Sequence, residues 1–252
     1  MQPLLLRILG YAWMAFGALW ASSGLLRSSV APDQSQRPRR IRFILLAAGF
    51  LVLFLARHRL PPSELILLGL IWAALALRWA APSKGVQTTG EFPFYRLLRL
   101  IVLAITFALL FWDLTRVGIL GGRLMPPIPA LAVIGFVLAL VGLAIALWAR
   151  IHLGQYWSDK VVLKVDHQLI RSGPYAHMRH PIYSGVLLGV LGTALVLGEW
   201  RGLLAFALLL TNYSIKAKKE ERILEARFTD EFREHQRHAG FLLPRLHART
   251  FD

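Results

Sequence analysis

Cysteine is absent from the 252 residues, which excludes disulfides, thiolate nucleophiles and cysteine metal sites together. Charge is also scarce: 17% of residues are charged, and the 14 Asp and Glu are outnumbered by 29 Lys and Arg. With 56% hydrophobic residues and a mean hydropathy of +0.52, the chain has too little polar surface for an ordinary soluble domain. Ionisable residues are missing from the middle of its long apolar runs as well. Asp113, near the end of one run and within reach of Arg116, comes nearest to mid-membrane depth. A transporter or scaffold reading, which expects such residues at the bilayer centre, has little to stand on.

What is present are apolar segments. Leu4 to Leu26, Ile41 to Ala56, Leu65 to Ala81, Leu97 to Leu114, Ile128 to Ala149, Ile182 to Leu197 and Leu203 to about Ile215 predict an all-α, polytopic membrane bundle of about seven segments. A full span takes roughly 20 residues, so the first and fifth segments suffice, and the last two are expected as a hairpin around Gly198-Glu199-Trp200-Arg201-Gly202. The first segment is retained as a membrane helix, because its apolar stretch is long and Ala21-Ser22-Ser23 is a poor cleavage site.

The net charge of +15 is distributed by topology and does not form a nucleic-acid patch. Twenty-three of the 29 basic residues fall in alternate loops and in the tail from Lys216, while Arg7, Arg57, Arg59, Arg116, Arg123 and Arg201 fall on the other side. The positive-inside rule places the N-terminus outside and the tail in the cytoplasm, as expected for a bacterial inner-membrane protein. Pro126-Pro127-Ile128-Pro129 divides the chain. Residues 1–125 are expected to form a four-helix N-terminal membrane region, and 126–252 a core that ends in a cytoplasmic amphipathic helix.

Polar chemistry concentrates in the second half. The 29 residues from Ile151 to Arg179 form a connection long enough to suggest function, with Val161 to Val165 as a short extended piece. Pro181 suits the first position of a helix and biases His180 away from helical geometry. Arg179 and His180 are thereby set at a helix N-terminus, where free N–H groups favour an anion. Gly185, Gly189 and Gly192 share one face of that helix, open to close backbone approach, with Ser184 and Thr193 in packing roles. The seventh segment continues without a breaker into an amphipathic helix marked by Leu224, Phe228 and Phe232, on which Lys216 and Glu220 stand one turn apart.

Gly173-Pro174-Tyr175, Arg179-His180-Pro181-Ile182-Tyr183-Ser184-Gly185, the hairpin, and Glu220-Glu221 with Leu224, Phe228 and Phe232 resemble the isoprenylcysteine carboxyl methyltransferase family and its bacterial relatives. Leu153 to Ser158 and His167 to Ile170 look like the lead-in of that family, and the likeness runs over roughly residues 128 to 245. The resemblance implies a membrane methyltransferase dependent on S-adenosylmethionine, with a cytoplasmic-facing pocket and a lipophilic acceptor, either an isoprenylcysteine-type carboxylate or a lipid head group. Prenylated or lipid substrates and membrane lipids are the implied partners. It further implies a cofactor shell of His167, Gln168, Leu169, Ile170, Tyr175, His180, Pro181, Ile182, Tyr183 and Glu220, with Arg179 and Lys216 facing the acceptor. The chain departs from eukaryotic members at Lys160, where they carry glutamine, and at Lys216, where they carry arginine. Lysine is a point charge and lacks arginine's bidentate fork.

The residues fit these roles chemically. Glu220 suits an ammonium or ribose hydroxyls, the helix start at Pro181 suits a carboxylate, and Tyr175 and Tyr183 offer aromatic faces to adenine or a sulfonium. A carboxylate acceptor needs no base, only Arg179 to position it; an amine or phenol needs one, for which His180 or Glu221 is available. Two rival readings remain. A metal site at His152, His167, His177 and His180 is opposed by the interrupting Pro181 and the lack of a carboxylate at ligand spacing, so no metal is expected. An NADPH-dependent membrane reductase calls for more arginine and fewer carboxylates than Glu220-Glu221 supplies.

Overall fold

The computed structural model describes residues 1–23, 93–112, 118–154 and 169–245. The described residues form five helices: α1 (Gln2–Ser23), α2 (Pro93–Phe111), α3 (Pro129–Leu153), α4 (Pro181–Leu197) and α5 (Trp200–His238). Short 3₁₀ turns lie at Gly118–Gly121 and Gly173–Ala176. There is no sheet among the described residues, only isolated bridges at Arg123–Glu199 and Met178–Gly240. The expected segments at Ile41 to Ala56 and Leu65 to Ala81, the Val161 to Val165 piece, and Asp113 with Arg116 lie outside the described residues.

Helix boundaries follow proline. Pro129 and Pro181 open α3 and α4, where a missing N–H costs nothing, and His180 sits before α4 at φ −125° and ψ 56°, off the helical region. Pro93 likewise starts α2, four residues before the apolar run at Leu97. The apolar run ending at Ala149 is helical for four further residues. Gly198, at φ +67°, ends α4 in the left-handed conformation that glycine adopts without strain, and α5 starts two residues later.

α3 and α4 form the tightest pair. The inward stripe of α3 is small (Ala132, Gly135, Ala139, Gly142, Ala146, Ala149), while Val133, Ile134, Val137, Leu140, Val141, Trp148 and Ile151 point outward and are exposed. Bulk outside and small residues inside is the arrangement for close helix contact within lipid, where water does not drive the burial. α4 answers with Gly185, Gly189 and Gly192. A Cβ on Gly185 would come within 2.5 Å of the Ala146 amide nitrogen, and one on Gly135 within 2.7 Å of the Gly192 carbonyl, so the helices run antiparallel with backbones nearly touching. Among the described residues α3 is the one helix long and apolar enough to cross a membrane; Leu98–Phe111 and Pro181–Leu197 are shorter apolar helices.

α1 lies along this pair. Trp13 covers Gly189 and its indole N–H donates to Thr193 Oγ1 at 3.1 Å, while Thr193 donates to the Gly189 carbonyl. α2 runs antiparallel to α5 and, with Trp13, Leu143, Val190 and Leu209, closes the main core through Leu109 and Leu110. At the hairpin end Arg201 binds Glu199 at 2.6 Å and donates to the carbonyls of Leu109 and Trp112, capping the end of α2. Leu124 and Met125 N–H groups reach the Gly198 carbonyl there. Arg123 and Arg201 thus sit at one end of the bundle, and Arg179, Lys216 and the Glu pair at the other.

Candidate functional site

The site forms where α4 begins. Gly173–Ala176 makes one tight turn, Pro181 starts the helix, and the N-terminus of α4 has no side-chain cap. His180 and Pro181 are buried, Ile182 nearly so, and Tyr175 is 7% exposed in a cluster with Ala149 and Ile182, against which Trp20, Leu153, Ile170 and Tyr183 pack. Of the residues expected in the cofactor shell, Leu169, Ile170, Tyr175, His180, Pro181, Ile182, Tyr183 and Glu220 are described; His167 and Gln168, like Lys160, lie outside the described residues.

α5 supplies the charges. Glu220 Oε1 accepts the Tyr183 hydroxyl at 2.7 Å and lies 3.7 Å from Lys216 Nζ, and its other oxygen is 3.8 Å from His180 Nδ1. Glu221 Oε1 accepts from Arg179 Nε at 2.6 Å and from His180 Nε2 at 3.2 Å. His180 therefore stands between two carboxylates, with its ring stacked on Tyr183 at 5.5 Å. Lys216 also hovers over the Tyr183 ring, 5.2 Å from its centroid. Burial alone would raise the Glu221 carboxyl, but the hydrogen bonds from His180 and Arg179 and their charges outweigh it and hold the group below its usual range. Burial, assisted by Glu220, pushes the Tyr175 phenol up, against the opposing Arg150 charge, so it stays protonated.

Sequence reasoning placed Arg179, His180, Tyr183, Lys216, Glu220 and Glu221 in one neighbourhood, and the structure brings these six together. It read the seventh segment as running without a breaker into the amphipathic helix, and the structure is helical through Phe228; the kink that follows at Thr229, φ +29° and ψ −91°, was not foreseen. That turn redirects Phe232 and His235 inward, both buried. The chain then returns across the site. Arg179 N–H donates to the Gly240 carbonyl, Gly240 N–H and Arg245 N–H donate to the His177 carbonyl, and Ser184 Oγ donates to the Leu242 carbonyl at 2.5 Å. Arg179 Nη1 reaches the Ala239 carbonyl at 2.5 Å, and Phe241 packs edge-on against His180 at 5.3 Å. This returning arm was missed. Its signal was Phe241-Leu242-Leu243, an apolar triplet after Gly240 in a polar tail. Ser184, read as a packing residue, fastens the arm.

His235 is 2% exposed and its Nδ1 has no hydrogen-bond partner. Burial, and then the charges of Arg179, Arg171 and His180, push its imidazole down to about 4, with Glu221 opposing. Because the folded value lies below the ordinary ~6.5, the unfolded chain binds a proton that the folded chain refuses between those pH values. Stability is expected to fall by about 3 kcal/mol as pH drops from about 6.5 to about 4. His235→Phe should flatten that part of a pH series of melting temperatures, and an unchanged slope would refute the assignment.

Among the described residues no three His, Asp or Glu side chains converge as a metal-ion site. The arrangement gathers two carboxylates, two cations, one imidazole and the Tyr183 phenol stacked on it, beside a helix start with no side-chain cap. Residues 131–231 match the family model described as phospholipid methyltransferase. A Schizosaccharomyces pombe protein-S-isoprenylcysteine O-methyltransferase is 35% identical over 92 residues, 35% of this chain and 39% of that protein. The cobalt-zinc-cadmium resistance protein CzcN of Cupriavidus metallidurans is 31% identical over 156 residues, 59% of this chain and 62% of that protein. A solved structure of the eukaryotic intramembrane Ras methyltransferase, isoprenylcysteine carboxyl methyltransferase, aligns with 84% of this chain and 77% of that one, at 18% identity and a TM-score of 0.44. The matched region thus spans between about two fifths and three fifths of these two curated relatives.

Proposed function

We propose, from the match of residues 131–231 to the phospholipid methyltransferase family model and the likeness to an isoprenylcysteine methyltransferase, that the protein moves a methyl group from S-adenosylmethionine to a lipophilic acceptor at the cytoplasmic face of a membrane. The observation that carries this reading is the Glu220–Glu221 pair, held over Tyr183 and His180 at the uncapped start of α4. These groups match the charges of the methyl donor, which when bound supplies an electrophilic methyl and a good leaving group. Glu220 would hold the ammonium or a ribose hydroxyl, and the N–H groups of the first turn of α4 would suit the carboxylate. Tyr183, Tyr175 and Ile182 provide aromatic and apolar walls, with Leu169 and Ile170 on the approach.

The protein's part is alignment and exclusion of water, effects that together reach ~7–11 kcal/mol in favourable cases. Arg179, already oriented by Glu221 and the Ala239 carbonyl, would face the acceptor. Lys216 adds a second cation there. For a carboxylate acceptor such as an isoprenylcysteine, these two charges suffice; for a lipid amine, His180 or Glu221 would hold the departing proton. The acceptor enters from the lipid, past the outward apolar faces of the helices. We assign residues 126–252 to the methyltransferase core and 1–125 to an N-terminal membrane region, in a bacterial inner membrane with the N-terminus outside and the tail in the cytoplasm. The distribution of Lys and Arg along the sequence, 23 on one side and six on the other, supports that orientation.

S-adenosylmethionine and NADPH, titrated separately into detergent-purified protein, test the reading. The former is expected to bind and NADPH not to. Glu220→Ala should weaken binding at least about tenfold, the scale of one charge-assisted contact, and His180→Ala should do likewise. Absence of binding, or wild-type affinity in both variants, would sink the proposal.

A further inference from the structure

The end of α3 holds a group that the proposed function leaves unused. His152 lies in the last turn of that helix, and its Nε2 is 2.9 Å from Ser172 Oγ. Its ring stacks on Tyr175, with centroids 6.4 Å apart and planes inclined by 23°. Between these contacts sits Gly173, at φ +59°. A Cβ there would fall 2.7 to 3.0 Å from three atoms of the imidazole, so the ring fills the space a side chain at 173 would need. Glycine at 173 is thus required twice, by its backbone angle and by the ring packed against it. Three positions of the turn (Ser172, Gly173 and, across Pro174, Tyr175) are fitted to one side chain from another element.

From this geometry we infer that His152 is a positioning residue for the methyl-donor site: it locks the Gly173–Ala176 turn to α3 and sets the Tyr175 ring. The inference rests on the donor-binding reading above and adds a residue to it. Tyr175 stands on a short turn, with α3 on one side and the start of α4 on the other. Without the His152 contacts the turn keeps Pro174, its own Tyr175 N–H to Ser172 carbonyl bond and the packing of Tyr175 against Ala149, but loses its side-chain hydrogen bond to α3. The ring would then be held less narrowly in its place, and a ligand would bear part of the cost of fixing it. His152 works through Tyr175 and does not itself touch the donor.

The experiment measures S-adenosylhomocysteine affinity by calorimetry on detergent-purified full-length protein, with melting temperature recorded for each variant. His152→Leu, which keeps bulk and removes the hydrogen bond and the stack, is expected to weaken binding about tenfold. His152→Gln, whose amide nitrogen reaches nearly where Nε2 lies, should recover most of that loss. Ser172→Ala removes the same hydrogen bond from an exposed residue and should cost about three- to fivefold without disturbing the fold. In the Tyr175→Leu background His152→Leu should add nothing, because the residue acts through the ring. Wild-type protein that fails to bind S-adenosylhomocysteine overturns the donor reading itself. Wild-type binding with unaltered affinity in His152→Leu and Ser172→Ala overturns the positioning role alone, as does a full further loss in the double variant.

Discussion

Arg179→Ala is expected to reduce methyl transfer by at least about 100-fold and to lower stability by about 2–4 kcal/mol. The second effect follows from geometry. Arg179 and Glu221 side chains are 12% and 14% exposed and 2.6 Å apart, and the same guanidinium holds the Ala239 and Gln236 carbonyls. Removing it leaves a nearly buried carboxylate that keeps its bond from His180, and it costs the arm that crosses the site its ties at Gln236 and Ala239. Arg179→Lys separates the two effects. A lysine keeps the charge near Glu221 but cannot span both Glu221 and the Ala239 carbonyl, so stability should recover in part while turnover stays low. Melting curves and initial rates with labelled methyl donor check both. A wild-type rate in Arg179→Ala would remove the residue from the acceptor side, and an unchanged melting temperature would remove the clamp.

Gly142→Val and Gly185→Val are expected to be the most damaging changes away from the site. A Cβ on Gly142 already meets the Gly189 amide and lies 2.5 Å from the Gly185 carbonyl; one on Gly185 lies 2.6 Å from the Gly142 carbonyl. The obstructing atoms are backbone, so no rotamer change relieves the clash and α3 must move off α4. Overpacking of a tight core typically costs 1–3 kcal/mol, and a branched side chain against two backbones should exceed that, with about 3 kcal/mol or more expected. Alanine at the same positions should fall in the ordinary range. Because His152 lies in the last turn of α3 and His180 takes the N-cap position of α4, separation of these helices also spreads the site, so activity should fall with stability. Purified Gly185→Val that melts at the wild-type temperature would show the helices to be less closely apposed than the glycine stripe implies.

Proline and glycine made much of the bundle legible. Pro129 and Pro181 mark helix starts by a rule confined to one residue, and Gly185, Gly189 and Gly192 announce close contact by spacing alone. Lys216 and Glu220 are neighbours on any helix, so their 3.7 Å pairing needed no tertiary knowledge. Tyr183 and Glu220 could be grouped only by resemblance, since 37 positions and a helical hairpin separate them before Tyr183 OH meets Glu220 Oε1. Thr229 was illegible: a β-branched residue at positive φ contradicts its own preference, and the inward packing of Phe232 and His235 holds it there. His152 was weighed only as a possible metal ligand, although its contacts are with a turn 20 residues on.

The sequence by itself determined that the protein is helical and apolar, where α3 and α4 begin, which face of α4 admits another backbone, and that ionisable groups gather at one end. Those properties follow from local sterics and from the period of the helix, which act within a few residues. Only the tertiary structure decided that His180 bridges two carboxylates, that Arg179 is clamped by a carbonyl 60 residues away, and that the chain after Thr229 turns back to cover the start of α4. Each depends on which distant groups find a hydrogen-bond partner once water is excluded, and that choice is made by packing.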